Sequence, residues 1–295
     1  MAPGNPPPTK PELSLEAFAE LAGKLDAHID SASSQNIKTS ISIQNGFHFK
    51  SQFGDHEIVH LGKQEETFAA SHAKLAVVAF KVAQGSIDKD THRDLISMLR
   101  ISDNGAFKRQ KRDVAPDVVA FAKSELGLDT DILTIRDDGT SYAGLTTACD
   151  SLKMFLKTIQ LARKNAELSD DNEKLSNDIN DALSSNTSKY GVRARLTPYT
   201  GLYLLNKTGD YFGHNDPEIG EAVHHDVGIL RYKTGKEKRR LAYSITSSAD
   251  SWLGALNADR LNQQAAAILI EAIGGTPKSA LKATLGTVAS KLLSK

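Results

Sequence analysis

Phe68-Ala69-Ala70-Ser71-His72-Ala73-Lys74-Leu75-Ala76-Val77-Val78-Ala79-Phe80 is the stretch on which the reading of this chain turns. Its apolar run continues without a helix breaker to Gly85, a length and composition that predict a buried helix. Ser71 stands at the start of that helix and Lys74 follows three positions later. Residues three apart share a helix face, so the Lys74 ammonium is expected beside the Ser71 hydroxyl. The free N–H groups of a first helical turn also favour negative charge that develops there. A serine at a helix start equally serves as an N-cap, and this stretch alone does not separate the two roles.

Two further strings give the stretch its context. Ser102-Asp103-Asn104 follows the helical run Thr91 to Arg100, and Lys207-Thr208-Gly209 ends the strand-like run Gly201-Leu202-Tyr203-Leu204-Leu205. Taken alone, Ser102-Asp103-Asn104 reads equally well as a polar turn after a helix. A second Lys-Thr-Gly, Lys233-Thr234-Gly235, lies between the runs Val227 to Leu230 and Leu241 to Ile245, among Lys236, Glu237, Lys238, Arg239 and Arg240. It predicts a hairpin turn with a solvated basic loop. In the order Ser71, Ser102, Lys207, the three strings form the S-x-x-K, S-D-N and K-T-G set of acyl-serine enzymes.

Composition narrows the class of protein. The 295 residues suffice for one large or two small domains, and 36 basic against 36 acidic side chains argue against a polyanion-binding protein, so no nucleic-acid partner is expected. Cys149 is the only cysteine, which excludes an intramolecular disulfide and argues against a structural zinc cluster; no metal and no cofactor is implied. Residues 1 to 12 hold five prolines and predict a disordered tail rather than a secretory signal. The longest apolar candidates, Leu75 to Ala83 and Ala265 to Ile273, fall short of the roughly 18 residues of a membrane span and read as core helices. No membrane partner is expected. A full-length sequence of this kind predicts a cytoplasmic location, and a removed signal would make it periplasmic or secreted.

Periodicity predicts a helix from Leu13 to about Ile29, then strands at Thr39 to Ile43, Phe47 to Phe53 and Glu57 to Leu61, with Asn45-Gly46 as a hairpin signal between the first two. From Ser71 to about Asn186 the chain reads as helix after helix, strands return at Leu202, Val227 and Leu241, and a helix from Ala258 to Ile273 follows. The expected fold class is α+β: one antiparallel sheet built from both chain ends with terminal helices, plus an inserted all-helical lobe, with the site at their junction. The expected boundaries are a tail over 1–12, a catalytic domain over 13–275 and a tail or helix over 276–295. Within the domain the sheet lobe takes about 13–70 and 200–275, and the helical lobe about 71–199.

The quoted residues resemble those of the serine β-lactamase and penicillin-binding protein superfamily, and most of all the class A β-lactamases. Thr91 to Phe107 resembles the helix that leads into that family's serine-aspartate-asparagine loop. Thr146-Thr147-Ala148 and Arg195-Leu196-Thr197-Pro198 also resemble their counterparts, and the 105 positions from Ser102 to Lys207 are similar to the family's separation. The likeness extends over about Leu13 to Gly275. It implies a β-lactamase-like fold and a serine hydrolase that acts on a β-lactam or related amide or ester through an acyl-enzyme.

Roles follow from the resemblance residue by residue. Ser71 is the implied nucleophile, Lys74 its activating base, and Ser102 the relay of the proton to the leaving nitrogen. Asn104 is implied to hold the substrate's amide side chain, and Lys207 with Thr208 and Gly209 to bind an anionic substrate group. The implied oxyanion hole is the pair of N–H groups of Ser71 and Asp210, worth on the order of 2.7–4 kcal/mol per donor in comparable sites. His225 is a candidate cation for a substrate carboxylate, a surface imidazole being the slightly preferred alternative, with His224 on the opposite strand face; the facing of Arg195 and Arg231 stays open.

The chain departs from the pattern in two places. Only 31 positions separate Ser71 from Ser102, shorter than the family's separation, which implies a more open cleft. No Glu-x-x-x-Asn stretch lies between Asn104 and Thr146; Asp137 and Asp138 are the carboxylates nearest the expected place and read better as a solvated turn. Slow release of the acyl group therefore favours, as alternatives, a D,D-peptidase or acyltransferase, or an inactive binding protein of the same fold. The partner in every case is a small-molecule or peptide substrate with a β-lactam, amide or ester carbonyl.

Overall fold

Polar residues set most of the described helix starts of this chain. Ser14 accepts from Ala17 N–H, Asp88 from Thr91 N–H, Thr147 from Asp150 N–H and Ser251 from Gly254 N–H, each satisfying a donor that the first turn leaves without a partner. The computed structural model describes residues 12–46, 57–85, 87–186, 191–196, 199–211, 220–234 and 237–277. The predicted strand Phe47 to Phe53, the tail over 1–11, Thr197-Pro198, Gly235 of the second Lys-Thr-Gly and the residues from 278 onward lie outside the described residues.

The chain runs α1 (Leu15–Ser33), β1 (Lys38–Asn45), β2 (Val59–Leu61), β3 (Thr67–Phe68) and a 3-10 turn at Ala70–His72. It continues through α2 (Ala73–Gln84), α3 (Lys89–Arg100), α4 (Asn104–Lys111), α5 (Ala115–Ser124), β4 (Leu133–Ile135), β5 (Ser141–Ala143), β6 (Leu145–Thr146), α6 (Ala148–Ala166), α7 (Asp170–Ser184) and α8 (Gly191–Leu196). The last elements are β7 (Tyr199–Thr200), β8 (Leu202–Tyr211), β9 (Ala222–Thr234), β10 (Glu237–Ala249), α9 (Trp252–Ala272) and β11 (Thr276–Pro277).

One five-stranded antiparallel sheet in the order β2-β1-β10-β9-β8 joins the two ends of the chain, as the α+β reading expects. Ile41 of β1 faces Ile245 of β10, and Ile229 of β9 faces Leu205 of β8. The sheet is buried on both faces. Ile41, Ile43, Leu230, Leu241 and Ile245 pack against Leu21, Leu25 and Ile29 of α1 and Leu269 and Ile270 of α9. Leu205, Val227, Ile229 and Ala242 join the core built on α2 and α6. At about 1.5–3 kcal/mol per fully buried large aliphatic side chain, these two layers are the main source of stability. They also explain why residues 222 to 230 are buried without alternation.

The inserted lobe is mostly helical, but two short strand pairs interrupt it: β4 with β5, and β6 with β3. Their two or three residues give too brief an alternation to stand out from the helical periodicity around them. β2 is where the Glu57 to Leu61 run ends, and it pairs with β1 through Ile43 and Val59. β9 and β10 stay paired out to Thr234 and Glu237, the hairpin predicted for the second Lys-Thr-Gly.

Gly228 shows how tightly β9 sits between its neighbours. A Cβ there would overlap the Leu205 carbonyl oxygen and stand 2.9 Å from both Asn206 Cβ and the Tyr243 hydroxyl. That hydroxyl donates to Asp226 Oδ1 at 3.1 Å, and Asn206 Nδ2 donates to the same atom at 3.0 Å. Gly228→Ala is expected to push both partners off this buried carboxyl and destabilise the protein by about 1–3 kcal/mol, read as a lower midpoint in urea unfolding.

Candidate active site

The local backbone around Ser71 is held by small residues and close contacts. Ala69 N–H donates to Gly144 O at 2.8 Å and His72 N–H to Ala69 O at 2.9 Å, while Ala70 takes a φ of 45°, in the left-handed region. The turn is therefore strained and over-determined, as turns that aim a reactive side chain are. Strand β8 passes directly beside it. A Cβ on Gly209 would lie 3.3 Å from Ser71 N and 3.2 Å from His72 N, so glycine is what lets the strand run this close to the first-turn N–H groups.

Four of the predicted residues converge on Ser71. Lys74 Nζ donates to Ser71 Oγ at 2.8 Å, to Asn104 Oδ1 at 2.7 Å and to Ser102 Oγ at 3.2 Å. Ser102 Oγ donates to Ser71 Oγ at 2.7 Å, and Lys207 Nζ donates to Ser102 Oγ at 3.0 Å and to Thr208 O at 2.7 Å. The spacing of three brings Lys74 to Ser71 as helix geometry requires. Ser102 arrives by another route: its φ of 59° turns the chain sharply between α3 and α4. Asp103 then caps α4 by accepting from Gly105 N–H at 2.7 Å and Ala106 N–H at 3.1 Å.

That loop is bolted from behind. Buried Asp94 of α3 accepts from Arg109 Nε at 2.9 Å and Nη2 at 2.7 Å, and from Gln110 Nε2 at 3.0 Å, a bidentate pair that fixes α4 against α3. Arg109 is the main cause holding the Asp94 carboxyl below its usual range. α3 alone spans the short connection from α2 to Ser102.

Burial changes what the two lysines can do. It lowers the Lys74 ammonium from 10.5 to about 8, opposed by nearby Asp103. Lys207 is fully buried and falls to about 7, through burial first and the Lys74 charge second, opposed by Asp210 and Asp226. Two cations that share one hydroxyl titrate as a pair, with the proton distributed between them.

His72 and Ser151 are site residues that the motifs did not single out. His72 is fully buried; its Nε2 is 3.1 Å from Lys207 O and its Nδ1 2.9 Å from Ser151 Oγ, which in turn contacts Thr146 Oγ1 at 3.0 Å. A carbonyl only accepts, so Nε2 carries the proton and Nδ1 accepts from Ser151. Burial, then His225 and Lys207, hold the ring well below the usual imidazole value and keep it neutral. The signal was a third polar residue, beside Ser71 and Lys74, inside the otherwise apolar run from Phe68 to Phe80.

His225 corrects an expectation. It is 1 % exposed, its Nε2 donates to Phe68 O at 2.8 Å, and burial lowers it to about 4. A neutral imidazole spent on a backbone carbonyl offers no charge to a substrate carboxylate. His224 faces the other way and its Nδ1 meets Asp210 Oδ1 at 2.9 Å. Arg231 pairs in register with Tyr203, at the end of β8 remote from Lys207, and Arg195 lies in α8. Asp138 accepts from Thr140 N–H at 2.8 Å in an exposed turn, beside exposed Asp137. No group of His, Cys, Asp or Glu among the described residues is arranged to hold a metal ion, and no described helix is long and apolar enough to cross a membrane.

The fold is that of the serine β-lactamases and penicillin-binding proteins. PBP-A, solved as an acyl-enzyme complex of a mutant with penicillin G, is 16% identical over 86% of this chain and 96% of its own, with a TM-score of 0.61. The chromosome-encoded β-lactamase of Vibrio parahaemolyticus is 15% identical over 84% of this chain and 98% of its own, at 0.59. A β-lactamase from Sphaerobacter thermophilus is 14% identical over 87% and 98%, at 0.58. No protein-family model and no curated protein sequence matches the chain.

The His72 tie carries a structural prediction. His72→Leu fills the same space but leaves Lys207 O without its buried donor, so the protein is expected to lose about 1–3 kcal/mol of stability in urea unfolding.

Proposed function

We propose that this chain is a serine hydrolase that takes the acyl group of a β-lactam, or of a related amide or ester, onto Ser71. The observation that carries the reading is the continuous chain Lys207 Nζ, Ser102 Oγ, Ser71 Oγ and Lys74 Nζ, with separations of 3.0, 2.7 and 2.8 Å. Neutral Lys74 takes the Ser71 proton as Oγ attacks the carbonyl carbon, and the tetrahedral oxyanion is met by the N–H groups of Ser71 and Asp210. Ser102 passes a proton to the leaving nitrogen as the C–N bond breaks. Lys207 and Thr208 hold an anionic group of the substrate, which returns the Lys207 ammonium to its charged form. Asn104 binds the acyl side chain's amide.

A second reading is a D,D-peptidase or acyltransferase with the same first step. It is favoured by the lining of the pocket beside Asn104, where basic, aromatic and small side chains meet and no described carboxylate faces in to activate water.

Incubation with a fluorescent penicillin, followed by intact-protein mass spectrometry, tests both readings. A covalent adduct is expected on the wild type and none on Ser71→Ala. A long-lived adduct supports the peptidase or acyltransferase, a transient one with product release a β-lactamase, and the absence of both adduct and hydrolysis refutes the β-lactam reading and leaves non-lactam esters or ligand binding. A second expectation concerns pH. Because the base is the neutral form of a group at about 8, the acylation rate constant rises about tenfold per pH unit below that value and levels above it. Stopped-flow acylation across this range checks the limb, and Lys74→Arg, permanently charged, is expected to abolish acylation.

A further inference from the structure

The cavity of about 440 Å³ beside Asn104 has an unusual charge for its position. Lys108, Lys111 and Arg136 line it together with Phe107, Tyr142 and Tyr211, and no acidic side chain is among its lining residues. Lys111 is a built element rather than a surface lysine. It is 6 % exposed, its Nζ donates to Ser141 Oγ at 2.8 Å and also to Ser141 O, and it stands 5.5 Å from the centre of the Phe107 ring. The other ammonium on that ring is Lys74, at 5.6 Å, so the cavity wall and the candidate base share one aromatic side chain. Arg136 lies over Tyr142 at 4.9 Å from its ring centre, and both line the same cavity.

Burial and the neighbouring Lys108 lower the Lys111 ammonium from its ordinary value, so a like charge presses on it and an anion would relieve it. Exposed Lys108 stands one helical turn from Asn104, at the mouth of the cavity. Aromatic walls with cations at two depths suit a ring that carries a carboxylate.

We propose that this cavity binds the acyl side chain of the substrate, and that this side chain is an aromatic group bearing a carboxylate. The proposal deepens the acyl-serine reading and depends on it for the direction in which the acyl group points. The charge of the cavity can be tested without any acylation. On the full chain with Ser71→Ala, titration calorimetry compares phenylmalonate with phenylacetate, which differ by one carboxylate. Binding of phenylmalonate is expected to be roughly tenfold tighter at low salt, and the preference is expected to fall below about threefold in Lys111→Gln and in the double variant Lys108→Gln with Arg136→Gln. The double variant leaves the buried lysine in place, so misfolding of Lys111→Gln would not remove the test.

Equal affinity for the two ligands, or a preference that survives in both variants, overturns the proposal. Acylation of the wild type by benzylpenicillin and by its α-carboxylated analogue separates the two layers of the argument. If neither acylates Ser71 while phenylmalonate binds with the stated dependence, the β-lactam reading falls and the anion-binding cavity stands. If both acylate at the same rate and phenylmalonate binds no tighter, the cavity proposal falls and the acyl-serine reading stands.

Discussion

Two buried ammonium groups that donate to the same hydroxyl are the constraint on which this structure turns. Lys74 and Lys207 reach Ser102 Oγ at 3.2 and 3.0 Å, and neither has a carboxylate in direct contact among the described residues. Burial lowers Lys74 to about 8, and burial followed by the Lys74 charge lowers Lys207 to about 7, so the two titrate as a pair. A lysine at its ordinary value would be a poor base at neutral pH. The same burial that makes the site costly to fold therefore makes it chemically useful, and the two-layered core around the sheet supplies the stability that offsets it.

The edge of the sheet is where this cost is managed. β8 has β9 on one side, and on the other it meets the Ala70–His72 turn instead of another strand. An open strand edge offers carbonyl and N–H groups that need partners. Here the neutral His72 ring takes the Lys207 carbonyl, and Gly209 admits the turn to within a few ångströms of the strand. The Ser71 turn thus takes the place of a sixth strand, and its position is fixed by the sheet rather than by a flexible loop.

Much of this was legible because the deciding relations are local. The separation of three between Ser71 and Lys74 puts them on one helix face, and the flanking runs distinguished Lys207 from the duplicate at Lys233, which sits where β9 turns into β10. The both-ends sheet was legible because strand-like runs stood only outside the helical middle. What escaped depends on distant partners. The His72, Ser151 and Lys207 tie joins positions 79 and 135 apart, and no periodicity announces it. The Asp94 and Arg109 bolt joins two helices across 15 positions, and no motif marks it. His225 was misjudged because strand alternation gives a face and says nothing of depth: its face looks into the core at Phe68.

The hairpin of β4 and β5 shows why a missing motif is informative only once the fold is known. In sequence, the lack of a Glu-x-x-x-Asn stretch is a gap; in three dimensions, Arg136, Ser141 and Tyr142 of this hairpin stand against Phe107 and Lys111 of α4. A buried ammonium held by Ser141 repels a second proton donor and attracts an anion, the reverse of what a carboxylate would do at that wall. In the acyl-serine reading proposed above, replacing one by the other would change two properties at once: which acyl side chains are welcome, and how readily water is deprotonated beside the ester. Under the proposed acyl-serine chemistry, substrate charge and acyl-enzyme lifetime would be set by the same few side chains, so fast hydrolysis would not be gained without also changing what the chain binds.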